Sequence, residues 1–299
     1  MPLQPFYGAT GHSRSLLVTD TAGSSTDTQV TTSATAFVNS SITQVIASTA
    51  FDTTGLYWVL TTNVNATATR VSTLVDIMIG ASGSEQMLIG PISVGGHINR
   101  TSWFFPIYVP AGSRISMRAR SAQTNFAVSG TVTLVGPANG DTVGLPQRWV
   151  TYGLSDDGTA NAQGTLLSGT AVAYGSWTSL TSATTYAHDL WMPVIDVGTA
   201  TSRGSHYGWI QTTLDTGTNG TSEDTANTSR RAPVYDIRSS GLSATWPGGQ
   251  TTSFPFAFGS SPNSPIYYAP KPAGTPINAR LFATVTTTNF LGISMMAGI

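Results

Sequence analysis

The sequence predicts an all-β protein: two tandem antiparallel β-sandwiches of jelly-roll type, with an extended N-terminal arm. Three observations predict it. No stretch sustains a 3.6-residue apolar period, while short alternating runs recur between Gly- and Pro-rich turns. Charged residues make up 9% of the 299, against about 25% in an average soluble domain. Thr, Ser, Gly and Ala fill the gap, and branched side chains such as Thr and Val pack well on a pleated surface. Finally, one motif occurs twice. Pro106-Ile107-Tyr108 leads to Pro110-Ala111-Gly112, with Ile115 and Arg118 three and six residues past the glycine. Pro265-Ile266-Tyr267 leads to Pro272-Ala273-Gly274, with Ile277 and Arg280 at the same distances. Pro fixes φ and Gly accepts positive φ, so each motif reads as strand, tight turn, strand.

Taken in order, residues 1–33 are polar and rich in glycine. Composition alone reads them as a tail; a terminus that is tied down reads as an arm docked on a neighbour or on its own domain. The first sandwich spans 34–136. Its strands are expected over Ala36–Ile46, Ala47–Asp52, Leu56–Thr62, Val71–Gly80, Glu85–Val94, Ser102–Val109, Arg114–Ser121 and Ala127–Val135. In the run after the first turn, Ile115, Met117 and Ala119 alternate with Ser116, Arg118 and Arg120, the pattern of a half-buried strand. Gly136–Asp141 opens a linker or second arm over 137–165. The second sandwich, with inserted loops, spans 166–299.

The duplication extends beyond the motif. Ala171–Thr184 lies over Ala36–Thr49 without a gap, Tyr186 matches Phe51, and Leu190-Trp191 matches Leu56-Tyr57. Arg148–Thr159 runs loosely at the spacing of Arg14–Ser25. The span from Ile77 to Pro106 is 29 residues and its counterpart from Ile210 to Pro265 is 55, so the second copy carries about 26 more. They fall in Asp215–Arg231 and Ser239–Pro262. Such insertions go to surface loops, where they serve recognition or simply drift at little cost in stability.

Composition excludes several functions. The net charge of −1 gives no field for nucleic acid or an anionic membrane. The hydrophobic fraction of 40% suffices for two cores, and the longest apolar runs are too short to cross a bilayer. There is no cysteine, so no disulfide or thiolate site. Met1–Pro5 has neither a basic region nor an apolar core, and no signal peptide is expected. The surface carries few charges to oppose association, which suits a permanent assembly.

No catalytic, cofactor or metal residue is expected. His12, His97, His188 and His206 show no ligand spacing. His188-Asp189 could be a base with its orienting acid, but adjacent strand residues face opposite ways. Asp156-Asp157-Gly158-Thr159 with Asn161 reads as a turn, lacking the loop that ends in Glu. Arg114, Arg118 and Arg120 form a strip that could grip a phosphate or an acidic neighbour, or could be a solvated sheet face. Trp246, in the second inserted loop, could stack on a sugar.

Beyond these readings, the blocks Ser41–Asp52, Val75–Gln86 and Phe104-Phe105-Pro106 leading into Pro110–Ile115 resemble uncharacterised virion structural proteins of tailed bacteriophages. The resemblance covers most of the first copy and, more weakly, the second, which lacks the Gly83-Ser84-Glu85-Gln86 block. It supplies no catalytic residue. It implies a non-enzymatic particle protein, made in the host cytoplasm and located in the tail, baseplate or capsid surface. Its partners would be other virion proteins and copies of itself. The alternative is a receptor- or carbohydrate-binding module that meets a host surface glycan.

Overall fold

The computed structural model describes residues 14–16, 28–62, 72–95, 100–136, 144–154, 164–197, 206–214, 234–239, 266–283 and 287–299. Among them there are strands and turns and no helix. The two inserted stretches, Asp215–Arg231 and Ser239–Pro262, lie almost wholly outside the described residues.

The first copy comprises β1 (Arg14–Leu16), β2 (Thr28–Thr31), β3 (Thr43–Ile46), β4 (Thr53–Thr62), β5 (Ser72–Ile79), β6 (Gln86–Gly95), β7 (Arg100–Val109), β8 (Ile115–Ser121) and β9 (Ala127–Gly136). One sheet runs β2–β9–β4–β7, with β1 further along the same edge of β9. The facing layer runs β3–β8–β5–β6. All these pairings are antiparallel. Strands that alternate between two sheets in this order make a jelly roll. Of the stretch read as an arm, β1 and β2 pair with β9 of the same copy. Strand β9 alternates strictly between half-buried and buried along its length. Its Val128, Val132 and Leu134 meet Leu56, Trp58 and Leu60 of β4, and Val75, Ile77, Ile115 and Met117 close the core from the other sheet. Each such side chain contributes about 1.5–3 kcal/mol on burial.

The second copy comprises β10 (Trp149–Tyr152), β11 (Thr165–Ala171), β12 (Ala173–Tyr174), β13 (Thr178–Thr181), β14 (His188–Val197), β15 (His206–Thr213), β16 (Val234–Ser239), β17 (Tyr267–Lys271), β18 (Ile277–Ala283) and β19 (Thr287–Gly298). It repeats the order. One layer is β11–β19–β14–β17, with β10 beside β11 on β19, and the other is β13–β18–β15–β16. The duplication holds at the level of single bonds. The β3–β8 ladder pairs Thr43 with Met117 and Ile46 with Ile115 across a bulge, and β13–β18 pairs Thr178 with Ala279 and Thr181 with Ile277 across the same bulge. Phe37 and Val172, equivalent in this register, both take a positive φ, 57° and 56°. Gly112 and Gly274 take φ of 80° and 84° in the two Pro-Ala-Gly turns, as their sequence demands.

Each turn is held by one buried threonine. Thr49 Oγ1 donates to Pro110 O at 2.7 Å and accepts from Ser113 N at 3.0 Å. Thr184 Oγ1 makes the same two bonds, to Pro272 O at 3.4 Å and from Thr275 N at 3.2 Å. Replacing the hydroxyl by a methyl takes the side-chain acceptor from Thr275 N, and from Ser113 N, which still has Pro110 O at 3.3 Å. Thr49→Val and Thr184→Val are each expected to cost about 1 kcal/mol in urea unfolding. No loss in either variant would refute this account of the turns.

Three of the sequence matches need shifting. Gly55 pairs with Pro106 just after a bulge, as Leu190 pairs with Tyr268, so Leu190 corresponds to Gly55, Trp191 to Leu56, and Pro106 to Tyr268 rather than to Pro265. Val75 faces Ala119 as Ile210 faces Leu281, so the counterpart of Ile210 is Val75, not Ile77. At Leu190 and Ile210 the ungapped spacing of the preceding block simply continues. Matching by residue type had shifted it to align like with like. The stretch Ala36–Ser41, expected as strand, is irregular. It bonds instead by Phe37 N to Ser121 O and Ser40 N to Ala119 O.

The copies are joined by more than their linker. Strand β10 pairs in parallel with β6 of the first copy through Trp149 and Ile89. The second layer of copy one and the first layer of copy two thus form one continuous sheet. Strands β14 and β19 are consequently buried on both faces. Leu190, Met192, Val194 and Met296 belong to the first copy's core. Trp191, Ile293, Met295 and Ala297 belong to the second's. A strand covered on both faces reads as an unbroken apolar run, as Leu190–Val194 does. At the corresponding places the first copy has Gly55, Tyr57, Val59 and Thr133, so its own outer face lacks the Leu and Met side chains that seal the junction.

Candidate functional site

The arginine strip lies on the outer face of the β3–β8–β5–β6 layer, and each arginine is bonded within the chain. Arg114 pairs with Glu85 and donates through Nε to Gln44 Oε1 at 3.1 Å. Arg118 Nε donates to Asp76 Oδ2 at 2.7 Å. Arg120 reaches the same oxygen at 3.1 Å and Asn39 Oδ1 at 3.2 Å. Asp76 is fully buried, and its other oxygen, Oδ1, has no hydrogen-bond partner among the described residues. One carboxylate thus serves two guanidiniums, placed by register because Asp76 of β5 stands opposite Arg118 of β8. The Glu85 carboxyl is held below its ordinary range, first by its own backbone N–H and then by Arg114 and Gly83, against the opposing effect of burial.

Sequence reasoning missed Asp76. Its signal was available: a lone acid inside the apolar run Leu74–Ile79, which has to find a cation if it is buried.

The same positions in the second copy carry different chemistry. Arg280 corresponds to Arg118, and Gln211 stands opposite it where Asp76 stood. Tyr174 takes the place of Asn39, Trp177 of Ile42 and Phe282 of Arg120. The Arg280 guanidinium lies 4.5 Å from the centre of the Tyr174 ring and 4.4 Å from that of Trp177. Tyr174 meets Phe282 edge to face at 5.4 Å. The Trp177 indole N–H has no acceptor among the described residues. All four side chains are half-buried and remain partly at the surface. The sequence marked Arg280 only as the last residue of the repeated motif, and its aromatic partners come from another strand pair.

His188 is buried, whereas Asp189 is exposed on the opposite side of the strand. Its Nδ1 faces Gly298 O at 3.1 Å and its Nε2 lies 2.8 Å from Tyr152 OH. A carbonyl only accepts, so Nδ1 carries the proton and Nε2 accepts from the tyrosine. Thr185 N donates to the same hydroxyl at 3.2 Å. Rings of Trp191 and Tyr186 pack on the imidazole, and Arg148 lies over Tyr186. Burial pushes His188 below its ordinary value of 6.5, opposed by the Gly298 carbonyl and Asp189 and assisted by Arg148. Burial also raises Tyr152. Among the described residues the imidazole's hydrogen-bond partners are a carbonyl and a phenol, and no carboxylate.

Because the folded value lies below the unfolded one, the unfolded chain takes up the proton first. Stability should therefore fall as pH drops from about 6.5 toward the folded value. Urea midpoints between pH 7.5 and 5.5 measure this, and His188→Asn should flatten the slope. The contribution of Glu85 is lost only lower, below its ordinary 4.5.

Among the described residues no group of three or more His, Asp or Glu could hold a metal. Trp246 and the stretch Asp156–Asn161, expected as a turn, lie outside the described residues, as do His12 and His97.

No family model and no curated protein matches the chain. Among solved structures, PNGF-II is similar with a TM-score of 0.44 at 10% identity, over 94% of this chain and 65% of that one. The chain thus spans just under two thirds of that structure's length. The N-terminal CBM22-1–CBM22-2 tandem domain of Xyn10C from Paenibacillus barcinonensis is similar with a TM-score of 0.22 at 11% identity, over 96% of each chain. Likenesses this loose say nothing about function.

Proposed function

We propose that this chain is a non-enzymatic structural protein of a bacteriophage particle. It assembles in several copies in the tail or baseplate, or on the capsid surface. The observation that carries this reading is the junction. Two jelly rolls of one order are joined by the β6–β10 pairing and by a sheet buried on both faces. Double-sheet jelly rolls recur in viral capsid and lectin domains, an analogy at the level of fold. The low charge suits permanent contact with copies of itself and with other particle proteins. In the first copy Asp76, Glu85 and the three arginines are engaged with one another, as suits a building part. The blocks of the first copy that resemble phage virion proteins supply the setting.

Mass spectrometry of purified particles, with immunogold labelling to place the protein, is the test. The chain should appear in multiple copies per particle. Particles that lack it would overturn the reading.

A further inference from the structure

The two copies share a fold, a register and an arginine, yet surround that arginine differently. In the first, Arg118 is spent on the buried carboxylate of Asp76, with Asn39 and Ile42 nearby in register. That solution uses no aromatic ring. In the second, the carboxylate position holds Gln211, and the two positions from the preceding segment hold Tyr174 and Trp177. Phe282 replaces Arg120 beside them. The outer face of the β13–β18–β15–β16 layer therefore presents three aromatic rings and a guanidinium in one half-exposed patch. Trp209 stands opposite Phe282 in the ladder. Both connections that carry the second copy's extra residues flank β16, the edge strand of this same layer.

We propose that this patch binds a saccharide. Sugar rings offer weakly hydrated C–H faces that stack on Tyr and Trp, and hydroxyls that accept from Arg. A tyrosine or tryptophan side chain contributes large contact area with few torsions to freeze. The stacking of Arg280 between Tyr174 and Trp177 fixes the guanidinium before any ligand arrives, which lowers the entropy lost on binding. The patch also pins β12 to β18, a task the first copy performs with polar bonds. The aromatic content in excess of that task is what points to a ligand. The inference deepens the carbohydrate-binding alternative and is independent of whether the chain resides in a particle.

The test is a glycan array of neutral and acidic saccharides probed with the full chain. Binders are then titrated against Trp177→Phe, Tyr174→Phe, Trp177→Ala and Trp246→Ala. Thermal unfolding shows which variants remain folded. Saccharide binding is expected, weakened at least tenfold by Trp177→Ala and less by the Phe variants. Saturation-transfer NMR on the wild type should show sugar C–H protons in contact with the protein's rings. Binding that survives Trp177→Ala and is lost in Trp246→Ala would place the site elsewhere and overturn this assignment while keeping carbohydrate recognition. No binding by the folded wild type would overturn both.

Discussion

Asp76→Ala is expected to destabilise the protein by about 3–5 kcal/mol, because it strands two guanidiniums around an emptied site. The carboxylate is fully buried, while Arg118 keeps 23% of its side chain exposed and Arg120 only 6%. Arg118 can therefore turn toward water and limit the loss, which puts Arg120 at the centre of the effect. Urea unfolding of the variant measures it. The second copy suggests a rescue. Adding Asn39→Tyr, Ile42→Trp and Arg120→Phe to Asp76→Gln transplants its chemistry, removes one stranded cation and stacks the other. Recovery of most of the lost stability is expected, since replacing a buried ionic cluster by packed side chains is often neutral or better. A loss below about 1 kcal/mol in Asp76→Ala would mean that the cluster is solvated and the burial argument fails.

Trp149→Ala should have an effect of similar size with a different signature. The indole is fully buried and packs edge to face on Phe105 at 5.6 Å. It also donates to Pro106 O at 3.0 Å. Removing a tryptophan from such a site costs about 3–5 kcal/mol, and it leaves a carbonyl unsatisfied as well. Trp149 stands on β10, the strand shared by both copies, and its indole is part of the first copy's core, so the loss falls on that core and on the junction together. Unfolding should change from a single transition to two. Fluorescence, circular dichroism and calorimetry would then give non-coincident curves. A single sharp transition at unchanged midpoint would show that the β6–β10 pairing contributes little.

The strand content was legible because it is local. Alternation in Ile115–Arg120, and the turn chemistry of Pro110-Ala111-Gly112 with its copy at Pro272-Ala273-Gly274, need no partner to be read. The same holds for the duplication: the ungapped match of Ala171–Thr184 to Ala36–Thr49 survives in the bulges, the threonine bonds and the positive φ of Phe37 and Val172. Where the match failed, at Leu190, similar residues had been laid over one another. Register follows hydrogen bonds, and it set Leu190 over Gly55.

The candidate site was legible only in part. Arg118 and Arg120 were seen on one face, yet the strip was left open between gripping a partner and meeting water. Its own carboxylate, Asp76, lies 42 residues upstream on another strand. Tyr174 and Trp177 went unnoticed because their partner, Arg280, is likewise distant in the chain.

By itself, then, the chain's order of residues determined strands, turns and a twofold internal copy, since each depends on torsional preference and on which of two faces a side chain takes. Only the tertiary structure decided which charges neutralise one another, where an arginine stacks instead, and that the two sandwiches share a sheet. Those outcomes turn on distances of a few ångströms between strands far apart in sequence, and no short-range pattern encodes such a distance.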